Sequence, residues 1–162
     1  MTGELELRRI LGRFATGVTV VTTLTPAGQP HGLTVNAFAS LSLEPPQFIV
    51  CLKRQNRSYA AFLSASHFAV NVLAEGQIGL SRLFASDREH KFEGIGYRRG
   101  PSSGAPLLDG AHAWLECAVA ARLDVVGTHT IVIGSLLASG LADEPPLLFH
   151  QGRYHRIGGP IT

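Results

Sequence analysis

Residues 31–46 read HGLTVNAFASLSLEPP and lie between two apolar runs of β-type sequence. Four polar residues recur at even offsets along this segment, so an extended strand would present them on one face and apolar residues on the other. They are Thr34, Asn36, Ser40 and Ser42. The pattern predicts a strand with one face in the core and one solvated face suited to a planar polar ligand. An ordinary half-buried strand followed by a Pro-Pro turn fits the same residues.

The composition indicates one globular domain over residues 1–162, because 45% of the residues are hydrophobic and only 16% are charged. The net charge of +2 comes from scattered Lys and Arg, which argues against a nucleic-acid partner. The chain begins with an acidic, polar segment and contains no apolar run of roughly 18 residues. We therefore expect no membrane association and a cytoplasmic location.

Several kinds of site lack their minimal sequence pattern. Cys51 and Cys117 stand in apolar contexts without metal-ligand spacing, so we interpret both as small core residues and expect no metal. The glycines of segment 94–100 have the wrong spacing for a dinucleotide fingerprint, which excludes a Rossmann fold. Hydrolase elbows, zinc-protease motifs and phosphate loops are absent from the sequence.

Hydrophobic periodicity predicts a mainly β chain with a few helices. Helices are expected over 4–15, 58–64 and 75–84, the first of them amphipathic and lying against the sheet. Strands are expected over 18–25, 30–42, 47–52, 67–73, 111–126, 130–142, 147–150 and 153–157. Segment 86–106 is predicted to be a long loop that can cover a site. Six or more strands with few helices predict a closed or nearly closed barrel.

Three polar segments are candidates for ligand binding. Segment 53–58 places two or three cations, an amide and a hydroxyl where an apolar strand ends and a helix begins, which suits a phosphate group. It also fits a solvated loop in which Asn56 or Ser58 caps the helix. His129 stands at the tip between two long strands, and segment 149–154 forms another turn; each is either a plain turn or a rim that contacts a ligand.

Taken in chain order, these segments resemble the flavin reductase-like family of FMN-binding split barrels, the small NAD(P)H:flavin oxidoreductases that serve two-component monooxygenases. The resemblance covers nearly the whole chain. The residues that carry it are 14–23 (FATGVTVVTT), 32–38 (GLTVNAF) with Pro45 and Pro46, 68–73 (FAVNVL), Lys91 and Phe92, 114–117 (WLEC), 127–134 (GTHTIVIG), 146–149 (PLLF) and 152–154 (GRY).

The resemblance implies a mainly β, α+β fold: a six-stranded antiparallel split β-barrel with a few flanking helices, forming a homodimer. It implies reduction of FMN or FAD by NADH or NADPH, with reduced flavin passing to a separate monooxygenase. Two other activities stay open for this fold. One is a non-catalytic flavin-binding electron-transfer protein, and the other is a flavoenzyme that reduces its own small substrate, such as a cobalt corrinoid.

The resemblance also assigns site residues. Those expected at the isoalloxazine and ribityl chain are Thr34, Val35, Asn36, Ala37 and Ser40, and those at the phosphate are Lys53, Asn56, Arg57 and Ser58. Arg82 and Phe84 would line the same groove. The nicotinamide would meet His129, the candidate catalytic residue, and Phe149, His150, Gln151, Gly152 and Tyr154. Members of the family commonly have Gly-Asp-His where this chain has Gly127, Thr128 and His129. Thr128 therefore replaces the acidic residue, and its negative charge is lost.

Overall fold

The structure is a computed structural model that describes residues 3–124 and 127–160. Its helices are α1 (Glu4–Leu11), α2 (Tyr59–Ser64) and α3 (Ile78–Ala85), the last preceded by a 3₁₀ turn over Glu75–Gln77. Its strands are β1 (Thr16–Gly17), β2 (Thr19–Leu24), β3 (Pro30–Val35), β4 (Phe38–Leu43), β5 (Pro46–Lys53), β6 (His67–Val72), β7 (Tyr97–Arg99), β8 (Pro106–Leu108), β9 (Ala113–Asp124), β10 (His129–Leu141), β11 (Leu148–His150) and β12 (Arg153–His155). The predicted mainly β chain with few helices is confirmed.

The main sheet is antiparallel and has seven strands in the order β3-β2-β6-β9-β10-β5-β4. Because β3 ends at Val35 and β4 begins at Phe38, two residues connect the opposite edges of this sheet. Seven strands spaced about 4.8 Å apart would hold the edges far apart if the sheet were flat, so the sheet must curl. Within the described residues no ladder pairs β3 with β4, so the sheet is not a closed barrel. Of the predicted closed or nearly closed barrel, the closed form is excluded, and the six strands implied by the resemblance are not what this sheet contains.

The predicted single strand over 30–42 is wrong. The chain leaves the β2 edge after Val35 and joins β5 instead, where Cys51 N–H donates to Ala37 O at 3.1 Å. The pairing of β4 with β5 then shifts register between Ser40 and Ser42. Alternation of side chains between two faces requires one uninterrupted strand. The break and the bulge each interrupt the alternation, so residues 34–42 do not present one solvated face.

Helix α1 differs from its prediction in length and in packing. It ends at Leu11 rather than near residue 15, and none of its residues is buried. Leu5 is 80% exposed and Phe14, just beyond the helix, is 77% exposed. The expectation that this helix lies against its own sheet is wrong, because its apolar side chains face away from the chain's own core.

Segment 86–106 contains a strand and is held to the main sheet by buried polar groups. β7 pairs with β8 as an antiparallel hairpin. Asn71, fully buried on β6, accepts a hydrogen bond from Leu108 N–H at 2.8 Å and donates to Val20 O at 3.1 Å. The prediction of a loop without regular structure is therefore wrong for Tyr97–Arg99.

Glu116 fastens the turn of the same hairpin. Its side chain is fully buried on β9, and its Oε1 accepts hydrogen bonds from Ser102 N–H at 3.1 Å and from Ser103 N–H at 2.7 Å. The Ser103 hydroxyl donates to the same oxygen at 2.6 Å. A Cβ at Gly100 would lie 2.1 Å from Oε1, so the close approach of carboxylate and turn requires glycine there.

The two cysteines occupy different environments. Cys117 is fully buried in the core, as predicted, and burial together with the nearby Glu116 raises its pKa to about 12. Cys51 is half-buried on β5, and both thiols are free. In the part of the chain that the structure describes, the helices are too short or too polar to cross a membrane.

Candidate functional site

A cleft of about 720 Å³ opens beside the edge strand β3. One wall is the β3 start and the turn before it, with His31 and Gly32, and another is the start of α2, with Arg57 and Ser58. The segment that follows α3, residues 88–93, forms the rest of the lining. A concave site of this size holds a small organic ligand, since such sites are typically 300–1,000 Å³.

The cleft concentrates positive charge. His31, Arg57, Arg88, His90 and Lys91 line it, against the two carboxylates of Glu89 and Glu93. Cations gathered in a concave, partly desolvated surface favour an anionic ligand.

Lys91 is the most buried of these cations, with 8% of its surface exposed. Its ammonium donates to Phe84 O at 3.0 Å, which leaves further N–H donors. Burial lowers the pKa of Lys91, while nearby Asp87 raises it and Arg57 lowers it. Burial likewise lowers the pKa of His31, and the charge of Lys91 lowers it further. An anion in the cleft would stabilise both cationic forms.

Of the residues predicted to bind a phosphate, some line the cleft and others do not. Asn56 Oδ1 accepts a hydrogen bond from Ser58 N–H at 2.9 Å, within the turn that precedes α2. Neither Asn56 nor Ser58 forms a side-chain cap on this helix, whose N-cap residue is Ser58. Ser58 is buried, and its hydroxyl donates to Gly32 O at 3.0 Å across to β3. Arg57 reaches over the cleft and forms an ion pair with Glu89. Lys53 lies exposed at the end of β5, outside the cleft lining.

Helix α3 contacts a residue predicted to bind the isoalloxazine and a residue predicted to bind the nicotinamide. Thr34 donates its hydroxyl to Ser81 O at 2.7 Å, and the Ser81 hydroxyl shares a hydrogen bond of 3.0 Å with the Tyr154 hydroxyl. The Arg82 guanidinium lies over the Tyr154 ring, 5.6 Å from its centroid. Three predicted site residues, from β3, α3 and β12, are thus brought together on one side of this helix.

The remaining residues predicted at the isoalloxazine fall into two groups. Asn36, Ala37 and Ser40 are exposed, with Asn36 and Ala37 in the two-residue connection between the sheet edges. Val35 and Phe84 are buried, at 5% and 0% exposure. The Phe84 ring packs beneath the strand, so that a Cβ at Gly32 would lie 2.9 Å from it. The ring belongs to the core of the single chain, and the assignment of Phe84 to the groove stays a prediction.

His129 begins β10 and pairs directly with Lys53 of β5. Its Nδ1 is 2.9 Å from the hydroxyl of Thr128. The next residue, the buried Thr130, donates to Asp124 Oδ1 at 2.8 Å and receives a hydrogen bond of 2.6 Å from the Tyr59 hydroxyl. These contacts join β9, β10 and α2 at the base of the turn that carries His129, and they place the turn at the same end of the sheet as segment 53–58.

The turn between β11 and β12 contains Gln151 at φ +50° and Gly152 at φ +76°. Gln151 N–H donates to Gly12 O at 2.9 Å, which ties this turn to the end of α1. Phe149 contacts Tyr154 edge to face, with ring centroids 5.3 Å apart. The His150 ring contacts that of His155 instead, at 5.6 Å. The turn thus joins the α3 side of the structure through Tyr154.

Sequence reasoning missed most of the cleft lining. The residues not selected are His31, Arg88, Glu89, His90 and Lys91, although Lys91 was among those that carry the resemblance. A signal was present: segment 86–93 alternates cations and acids immediately after a helix within the segment predicted to cover a site. What the sequence did not provide was the folding of this segment over β3.

The fold and site together define a class: a mainly antiparallel β domain whose curled sheet carries a cleft lined by Arg57, Arg88 and Lys91. The chain belongs to the flavin reductase family, since the model of the flavin reductase like domain matches residues 11–158.

Particular relatives are similar over most of the chain. The flavin reductase (NADH) of Kitasatospora aureofaciens is 43% identical over 91% of this chain and 78% of its own length. The reductase subunit HsaB of a flavin-dependent monooxygenase from Rhodococcus jostii is 40% identical over 94% of this chain and 77% of its own. Among curated relatives, the chain spans between 47% and 86% of the relative's length.

The solved structures include a close likeness with ligands. The NADH:FAD oxidoreductase SgcE6 of Streptomyces globisporus, in complex with NAD and FAD fragments, superposes with a TM-score of 0.90 at 36% identity. The match covers 98% of this chain and 94% of that one.

Proposed function

We propose that this chain is an NAD(P)H-dependent flavin reductase that transfers a hydride from NADH or NADPH to N5 of free FAD or FMN. The observation that carries the proposal is the family match over residues 11–158 on a chain whose cleft is lined by five cationic or titratable basic side chains. The relative named flavin reductase (NADH) and the structure with NAD and FAD fragments support the nicotinamide nucleotide and the flavin as the two substrates. The relative HsaB, a monooxygenase reductase subunit, supports delivery of reduced flavin to a separate monooxygenase.

The described residues fit a flavin nucleotide. Arg57 and Ser58 stand at the cleft where a phosphate would bind, and the buried Lys91 adds N–H donors beside them. The exposed connection at Asn36 and Ala37, in the segment assigned to the flavin ring, offers backbone groups for hydrogen bonds. When bound, flavin and nicotinamide supply the redox chemistry themselves.

The task of the chain is then to bind and orient. Arg57 holds the phosphate by charge-assisted hydrogen bonds, and Ser58 shapes this wall of the cleft through its hydroxyl bond to Gly32 O. Thr34 and Tyr154 fix the position of α3. His129 donates to the nicotinamide or orients it, with the Thr128 hydroxyl at Nδ1 setting the direction of the imidazole. Holding two rings in contact lowers the entropic part of the barrier to hydride transfer.

The same proposal includes a homodimer in the cytoplasm, with residues 1–162 acting as one split-barrel domain. Support for a second copy comes from large apolar side chains that the single chain leaves exposed, such as Leu43 at 81% and Leu141 at 90%, besides those of α1. Two free thiols, one of them buried, fit a reducing compartment. Light scattering tests the dimer: Leu43→Glu is expected to shift the mass toward that of one chain.

The deciding experiment mixes catalytic amounts of protein with NADH or NADPH and an excess of FAD, FMN or riboflavin, and follows the loss of reduced-nucleotide absorbance. We expect turnover that depends on added flavin. His129→Ala is expected to lower kcat/KM for the nicotinamide nucleotide by about tenfold or more, the effect of losing a hydrogen bond to a developing charge.

His67→Ala is the matched control, because its Nδ1 also contacts the hydroxyl of the preceding residue, Ser66, at 2.8 Å. His67 lies outside the lining of the cleft, so its substitution should leave turnover unchanged. Lack of turnover with every pair of nucleotide and flavin, in a protein that binds flavin, would contradict the proposal and favour an electron carrier.

A further inference from the structure

An ion pair joins two of the segments that line the cleft. Arg57 Nη1 donates to Glu89 Oε1. Arg57 precedes α2, Glu89 belongs to the segment after α3, and both residues line the cleft. Their side chains are 59% and 68% exposed, respectively. The pair is therefore open to solvent and can be broken without unfolding either element.

Glu89 is the carboxylate that forms an ion pair with Arg57. Lys91 is buried and close enough to Arg57 that the positive charge of Arg57 lowers the Lys91 pKa. His31, in turn, is affected by Lys91. Arg57 and Lys91 are thus two cations that influence each other in the same cleft, and Glu89 is the carboxylate paired with the more exposed of them.

We propose that Glu89 is an internal competitor for the flavin phosphate at Arg57. A phosphate that is to form a charge-assisted bond with Arg57 must displace the Glu89 carboxylate or share the guanidinium with it. Glu89 thereby weakens the binding of phosphorylated flavins and speeds their dissociation. This inference rests on the proposed function, in which the reduced flavin leaves to serve another enzyme.

The expected size of the effect follows from the exposure of the pair. Solvent-exposed ion pairs are weak, and their strength corresponds to about a two- to fivefold change in a binding constant. Glu89→Gln keeps the shape of the side chain and removes its charge. We expect this variant to bind FMN about two- to fivefold more tightly than the parent protein, with most of the change in the dissociation rate.

Fluorescence titration and stopped-flow displacement of FMN measure these changes, with riboflavin as the ligand that lacks a phosphate. Riboflavin affinity should be the same in Glu89→Gln and parent. Glu93→Gln is the matched control, because Glu93 lines the same cleft and loses the same charge. It should change FMN affinity by less than Glu89→Gln does. Equal effects of the two variants, or an equal gain for riboflavin, would overturn the proposal.

Arg57→Gln separates this inference from the function on which it rests. In the Arg57→Gln background, Glu89→Gln is expected to leave FMN affinity unchanged, because the competitor has lost its target. If FMN and riboflavin bind the parent equally and Arg57→Gln has no effect, the phosphate assignment is wrong and the inference is wrong with it. If Arg57→Gln weakens FMN alone while Glu89→Gln does not strengthen it, only the competition is refuted.

Discussion

Replacing Glu116 by alanine should destabilise the protein strongly, although the residue lies outside the candidate site. Its fully buried Oε1 accepts three hydrogen bonds, of 3.1, 2.7 and 2.6 Å, from the turn at Ser102 and Ser103. A hydrogen bond to a charged group contributes about 1.5–3 kcal/mol, and bonds to one oxygen are not additive. Because Ser102 is exposed, water can replace part of the loss. We expect a decrease of about 3 kcal/mol in the free energy of unfolding.

Urea unfolding followed by the fluorescence of Trp114 measures this change. Trp114 is the sole tryptophan of the chain, and its ring lies 5.0 Å from the Arg98 guanidinium on the hairpin that Glu116 fastens. With a slope of about 1–3 kcal/mol per molar urea, the midpoint should fall by about 1–3 M.

Ser103→Ala is the matched control, since it keeps the backbone bond to Oε1. It removes the hydroxyl bond to Oε1 and the bond of 3.1 Å that this hydroxyl accepts from Ala105 N–H. We expect a loss of about 1 kcal/mol for this variant. A midpoint for Glu116→Ala no lower than that for Ser103→Ala would refute the reasoning, because the carboxylate would then not be what holds the turn.

Two further predictions follow from the pKa shifts. The pKa of His31 is lowered from its ordinary value of 6.5 by burial and by Lys91. The unfolded chain therefore binds more protons than the folded one below about pH 6.5, and the free energy of unfolding falls as the pH falls through that value. His31→Gln should flatten this decline in unfolding curves between about pH 7 and 5. Since the pKa of Cys117 is raised to about 12, a thiol reagent at mildly alkaline pH should modify at most Cys51 in the folded protein and both thiols in urea; rapid modification of Cys117 in the native state would contradict the buried position.

The fold could be predicted largely from the sequence because its strands carry strong local signals. The β-branched run at 18–25 and the apolar run at 47–52 become β2 and β5 with nearly the expected bounds. The errors arise where local pattern and tertiary environment disagree. Segment 30–42 alternates as one strand, yet its two halves lie at opposite edges of the sheet, and period-two patterning carries no information about which strand is the neighbour.

The site was less accessible to prediction than the fold. Arg57 and Ser58 were identifiable, because cations and a hydroxyl follow a buried strand at a helix start. The Arg57–Glu89 contact joins residues 32 positions apart, and only the tertiary structure brings them together. Phe84 shows another limit of sequence reasoning: an aromatic residue on a short helix fits a ligand groove or the core equally well, and only the structure shows that its ring is buried.

The strand order also sets the sequence of events in folding. In the main sheet, three pairings join neighbours in the chain, namely β2–β3, β4–β5 and β9–β10. The pairing of β5 with β10 instead joins Lys53 to His129, and the pairing of β2 with β6 joins Thr19 to Val72. Contacts between distant residues form slowly, because each closes a long loop. During synthesis, the second edge of β5 stays unpaired until β10 has emerged. The half of the sheet that carries Lys53 and His129 is therefore completed late, and exposed strand edges in that interval are the point at which the nascent chain is most open to aggregation.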